Sequence, residues 1–96
     1  MENKYLALGS IVTIKNDNKK YMIIGINQTD GQAEYDYSAV LYPFGLMDIN
    51  NLYLFNNYFI DNIIFEGYMS SEYDEYVDDV TWYKQNHKKG SSEDGK

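Results

Sequence analysis

From residue 6 to residue 66 the sequence is a succession of short apolar runs, each halted by turn-forming residues. A chain punctuated in this way builds short strands rather than long helices. The first run, residues 6 to 15, ends in the β-branched Ile11-Val12-Thr13-Ile14 and is followed by Asn16-Asp17-Asn18-Lys19. Asn and Asp tolerate left-handed backbone and bond locally, so this cluster is a turn. Tyr21-Met22-Ile23-Ile24-Gly25-Ile26 comes next, and two apolar runs about a short polar turn read as an antiparallel hairpin. Asn27 to Glu34 is expected to form a loop around Asp30-Gly31. Beyond it Tyr35, Tyr37, Ala39 and Leu41 alternate with Asp36, Ser38, Val40 and Tyr42, the period of a third strand with one buried face. Pro43 has no N–H for a ladder, so that strand should stop there and pass into a connection running to about Asn51. Leu52 to Phe55 makes a short fourth strand, Asn56 to Asn62 a tight turn or single helical turn, and Ile63-Ile64-Phe65-Glu66 a fifth strand before Gly67. The expected fold is α+β and mainly β: a small, strongly bent antiparallel sheet or SH3-like barrel of about five strands.

The pattern changes after Gly67. Tyr73, Tyr76, Val77, Val80 and Tyr83 recur at helical spacing, which predicts one amphipathic helix over about residues 71 to 87. Ser71 can cap it with Asp74 in the first turn, acids crowd its start, and Lys84, His87, Lys88 and Lys89 sit near its end, as the helix dipole favours. Gly90 should end the helix and leave residues 90 to 96 as a frayed polar tail. At 96 residues the chain suits one domain, residues 1 to 89, and not two independent cores.

Chemistry is scarce. The absence of Cys and the single His87 remove thiolate sites, zinc clusters and Ser-His-Asp or Cys-His arrangements. Asp30-Gly31 and Glu34-Tyr35-Asp36 lack the spacing of a calcium loop, and the isolated glycines form no phosphate loop. No catalytic residue, cofactor or metal ligand is therefore assigned, and the protein is expected not to be an enzyme. Glu72, Asp74, Glu75, Asp78 and Asp79 read first as the solvated face of the helix, and second as a surface for a basic partner. Eight Lys, no Arg and fifteen acids give a formal charge of -7, which opposes nucleic-acid binding. The beginning Met-Glu-Asn-Lys-Tyr lacks the apolar run of a signal peptide, so a cytoplasmic protein without membrane contact is expected.

Aromatic residues make up 17% of the chain, eleven of them Tyr, a surplus suited both to pleated sheets and to protein interfaces. Core filling is the default for each ring. The candidates for partner binding are Tyr53, Tyr58 and Phe59 near turns, and the helix stripe Tyr73, Tyr76, Val77, Val80 and Tyr83. That stripe closes the domain if it packs on the sheet; otherwise it docks on another chain, including a second copy in a homodimer.

Several blocks occur in an order that resembles a known family. These are Leu6-Ala7-Leu8-Gly9-Ser10-Ile11-Val12, Met22-Ile23-Ile24-Gly25, Tyr35-Asp36-Tyr37 into Val40-Leu41-Tyr42-Pro43, Phe55-Asn56, Ile60-Asp61 and Ile63-Ile64-Phe65-Glu66-Gly67-Tyr68. Over about residues 6 to 68 the chain resembles DUF4176, a family of small Firmicute proteins of unknown function typically encoded among type VII secretion genes near LXG toxins. The resemblance implies a non-enzymatic cytoplasmic accessory protein, an adaptor or chaperone that binds an LXG toxin or its helical targeting partners before export. Two alternatives stand beside it. Tyr35-Asp36-Tyr37 through Tyr42-Pro43 groups aromatics and an acid much as SH3 domains do when they grip peptides. High acidity would also suit an immunity protein that covers the active site of a basic toxin.

Overall fold

The computed structural model describes residues 5–93, with side chains described through residue 86. The chain divides after Tyr68 into two compact units, one holding the sheet and the other the helix. The sheet unit contains β1 (Ile11–Ile14), β2 (Lys20–Thr29), β3 (Glu34–Tyr42), β4 (Tyr53–Phe55), a 3-10 turn (Asn57–Phe59) and β5 (Ile60–Phe65). All pairings are antiparallel and the order is β4-β3-β2-β1-β5. The five-stranded mainly β fold is thus as expected, but the sheet is open, with β4 and β5 as its edges, and the barrel alternative is not realised. Closure would require β4 to pair with β5, and β4 is only three residues long.

The turns follow their side chains. Asp17 Oδ1 accepts from the Lys19 N–H at 2.9 Å and its Oδ2 accepts from the Tyr21 hydroxyl at 2.7 Å, which tightens the β1–β2 connection. Asp30 Oδ1 accepts from the N–H groups of Gln32 and Ala33, both at 2.9 Å, and this Asx geometry closes the β2–β3 hairpin in four residues. The expected loop over residues 27 to 34 is accordingly too long. Pairing continues through Gln28↔Tyr35 and Thr29↔Glu34, because ladder bonds outweigh the polar composition. At the other end the first strand is shorter than the apolar run from residue 6. Gly9 (φ 89°) turns the chain, with the Ser10 N–H bonded to the Ala7 carbonyl at 3.1 Å, so strand geometry begins only at Ile11.

Most of the sheet's buried residues lie on one face. Val12, Tyr21, Ile23, Ile26, Tyr37, Ala39 and Phe55 are buried, and rings meet across strands: Tyr21 with Tyr53 at 5.3 Å, Tyr37 with Phe55 at 5.9 Å, and Tyr5 with Tyr37 at 6.0 Å. A register shift between Ile23 and Gly25 explains why burial in β2 passes from odd to even positions: Ile24 is the extra, exposed residue of a bulge. A Cβ at Gly25 would stand 2.5 Å from the buried Ser38 hydroxyl, so the bulge admits only glycine without a shift. β3 departs from the expected alternation, since Tyr37, Ser38, Ala39 and Val40 are all buried. A central strand covered on both faces loses the signature of a half-buried one.

Helix α1 (Ser71–Glu93) forms the second unit. Its N-cap is Ser70 rather than Ser71. The Ser70 Oγ accepts from the Tyr73 N–H at 3.1 Å and its carbonyl accepts from the Asp74 N–H at 3.0 Å. In the tandem Ser70-Ser71 the earlier residue takes the cap and the later one starts the first turn. The backbone helix passes through Gly90, where the sequence reading ends it, because one glycine lowers helix propensity by only about 1 kcal/mol. Of the tail expected over residues 90 to 96, the last three residues and all the side chains lie outside the described residues, as does the side chain of His87.

Candidate functional site

The connection between β3 and β4 carries a dense apolar display. Pro43 ends β3 as its chemistry requires, and the next nine residues are folded into local turns. The Gly45 N–H donates to the Leu41 carbonyl at 2.8 Å, the Asn51 N–H to the Asp48 carbonyl at 2.8 Å, and the Asn50 N–H to Asp48 Oδ1 at 3.0 Å. Gly45 takes a positive φ of 75°, which sets the direction of the first turn. The segment is therefore held in place, yet Phe44, Met47 and Ile49 are 65%, 74% and 76% exposed, and Leu46 and Leu52 are exposed as well. Leu41, Phe44, Gly45, Met47, Asn51 and Tyr53 line an open hollow of about 280 Å³. Apolar side chains fixed beside a hollow suit an inserted partner side chain.

The sequence candidates fall into different surroundings. Tyr53 lies on the wall of this hollow while its ring packs on Tyr21. Tyr58 and Phe59 are exposed on the 3-10 turn, stacked on each other with centroids 4.8 Å apart. On α1, Val77 and Val80 are buried, Tyr73 is half-buried and 6.4 Å from Tyr76, and Tyr76 and Tyr83 are exposed. The helix candidates thus divide between a buried line and an exposed one. Trp82, also exposed, was not among them. Glu72, Asp74, Glu75, Asp78 and Asp79 are all exposed. Sequence reasoning missed Phe44, Leu46, Met47 and Ile49. The signal was present as apolar residues without strand or helix period between Pro43 and Asn50-Asn51.

Asp36 and Tyr37 are both engaged in structure. Asp36 Oδ2 accepts from the Asn57 N–H at 2.8 Å, while the Asp36 N–H donates to Asn56 Oδ1 at 2.8 Å, a reciprocal pair that ties the 3-10 turn to β3. Tyr37 is fully buried; its hydroxyl donates to Asn57 Oδ1 at 2.7 Å and accepts from the Leu6 N–H at 2.8 Å. The Tyr35-Asp36-Tyr37 block, read as a peptide grip, therefore presents neither its acid nor its second ring in that role. Among the described residues no three His, Cys, Asp or Glu side chains gather as a metal ion would need. No helix among them is long and apolar enough to cross a membrane.

Residues 5–76, the whole sheet and the first turns of α1, match the family model described as Domain of unknown function (DUF4176). The chain belongs to this family. The family resemblance drawn from the ordered blocks is thereby borne out, and the match spans more of the chain than those blocks did. Both the β3–β4 loop and the Asp36–Asn57 tie lie inside the DUF4176 region. No curated protein and no solved structure matches the chain.

Proposed function

We propose that this DUF4176 protein is a non-enzymatic cytoplasmic accessory protein of type VII secretion, which binds an LXG toxin or its helical targeting partners before export. The observation that carries the binding part of this reading is the β3–β4 loop: a turn-pinned segment with Phe44, Leu46, Met47 and Ile49 exposed, of which Phe44 and Met47 line an apolar hollow. A monomer gains nothing in stability from apolar side chains held out in water, whereas an interface gains from burying them. Met adapts to irregular surfaces and Phe supplies a rigid anchor, a combination suited to gripping a helix face. The formal charge of -7 adds steering toward a basic partner. The type VII setting comes from the family resemblance.

The test is co-expression of the full chain with either the N-terminal targeting region or the C-terminal toxic region of an LXG toxin. Co-purification with the targeting region supports the accessory reading. Co-purification with the toxic region alone would replace it with the immunity reading, and recovery of the protein alone with both would refute both.

A further inference from the structure

The two edges of the sheet differ. β4 is three residues long, one of the usual ways in which a native edge avoids pairing with other chains. β5 is six residues long, pairs only with β1 among the described residues, and contains neither Lys nor Pro. Its blunting feature is a pair of register shifts against β1. Ile63, Ile64 and Phe65 are 47%, 49% and 58% exposed, so apolar side chains stand on both faces of an edge whose outer backbone groups have no strand beside them. Asp61 and Glu66, both exposed, bracket them. From Lys20 to Lys84 the chain has no basic residue, while acids recur from Asp30 to Asp79. Lys15, whose N–H bonds the Phe59 carbonyl, lies before β5 begins.

From this edge we infer that β5 accepts an extended segment of another protein as a sixth strand, the segment having an apolar centre flanked by Lys or Arg. Main-chain bonds supply the pairing, alternate side chains meet Ile63, Ile64 and Phe65, and the flanking cations meet Asp61 and Glu66. A second copy is the poorer occupant, since it brings the same charge of -7 and the same acids to the contact. This inference goes beyond the accessory reading: β5 and the β3–β4 loop serve opposite edges of the sheet.

Three fluorescent peptides test it by anisotropy with the full chain at low salt: Lys-Thr-Val-Ile-Val-Lys with blocked ends, the same peptide with Glu for Lys, and the Lys peptide N-methylated at alternate amides. The Lys peptide should bind roughly ten-fold tighter than the Glu peptide, and N-methylation should abolish binding by removing the ladder donors. Hydrogen exchange should slow at those amides of β5 that point away from β1. Ile64→Lys should weaken binding roughly ten-fold with an unchanged melting midpoint. No binding of the Lys peptide, equal binding of the Glu or N-methylated peptide, or protection confined to residues 43 to 52 would overturn the inference. Toxin capture is scored separately: capture without peptide binding defeats only the edge inference, and peptide binding without capture defeats only the accessory reading.

Discussion

The Tyr37 hydroxyl sits at the centre of the sheet unit, donating to Asn57 Oδ1 and accepting from the Leu6 N–H. Tyr37→Phe keeps the ring and removes both bonds, so a urea melt should show a loss of about 1–3 kcal/mol. Asp36→Ala removes the acceptor for the Asn57 N–H and should lose about 1–2 kcal/mol by the same measurement, with Asp36→Asn losing less because it keeps an acceptor. A second pair contributes to the pH dependence of stability. The Lys19 N–H, then the Tyr21 hydroxyl, hold the Asp17 carboxyl below its ordinary value of 3.8. Burial, then the hydrogen bond to Asp17, push Tyr21 up to about 12. The Asp17 contribution is present at neutral pH and is lost as pH falls below 3.8 through the lowered folded value. The Tyr21 contribution is present below its ordinary 10.0 and is lost as pH rises from there through about 12. Tyr21→Phe should therefore flatten the alkaline limb of a stability profile and reduce the acid limb, as read from melts across pH. At this scale the sequence showed a surplus of rings but not their division. Tyr37 and Tyr35 have the same local pattern, and only the packing of Tyr5 and Phe55 around Tyr37 separates core from surface.

Strand existence was legible because apolar runs and turn formers alternate, and Pro43 marked the end of β3 correctly. Strand limits were not, since they depend on partners distant in sequence. Gly25 opens a bulge because Ser38 lies across from it, and β2 then runs on to Thr29 because β3 is there to pair with it. Gly67 shows the same dependence. Its N–H donates to the buried Ser10 hydroxyl at 2.9 Å, and a Cβ there would stand 2.1 Å from the Leu8 carbonyl oxygen. Gly67→Ala must therefore push the chain after β5 away from the segment before β1, and a loss of about 2 kcal/mol or more is expected in a thermal or urea melt. The β3–β4 loop was the least legible element. A sequence pattern locates loops by breakers and periods, and it cannot tell a loop that tucks its apolar residues inward from one that holds them out. Phe44→Ser and Met47→Ser should change stability by less than about 0.5 kcal/mol, since both side chains are already largely in water.

For the whole molecule, acidity and displayed apolar side chains point in one direction. A charge of -7 disfavours contact between copies, and under the proposed reading the apolar loop is what a basic partner would bury. Salt should therefore slow association with such a partner more than it speeds dissociation, an effect that stopped-flow rates at two ionic strengths would show. The family membership was legible from the order of blocks, whereas the proposed binding surface was only partly so: Tyr53 lies on the hollow, but Phe44 and Met47, which also line it, were overlooked. The central claim is that this surface acts by contact. Calorimetric titration of the N-terminal targeting region of an LXG toxin into the full chain and into Met47→Ser/Ile49→Ser tests it most directly. The account predicts binding to the natural sequence and at least a roughly ten-fold weaker association for the folded double variant. Equal affinity for the two proteins, or no heat of binding with either, would contradict it.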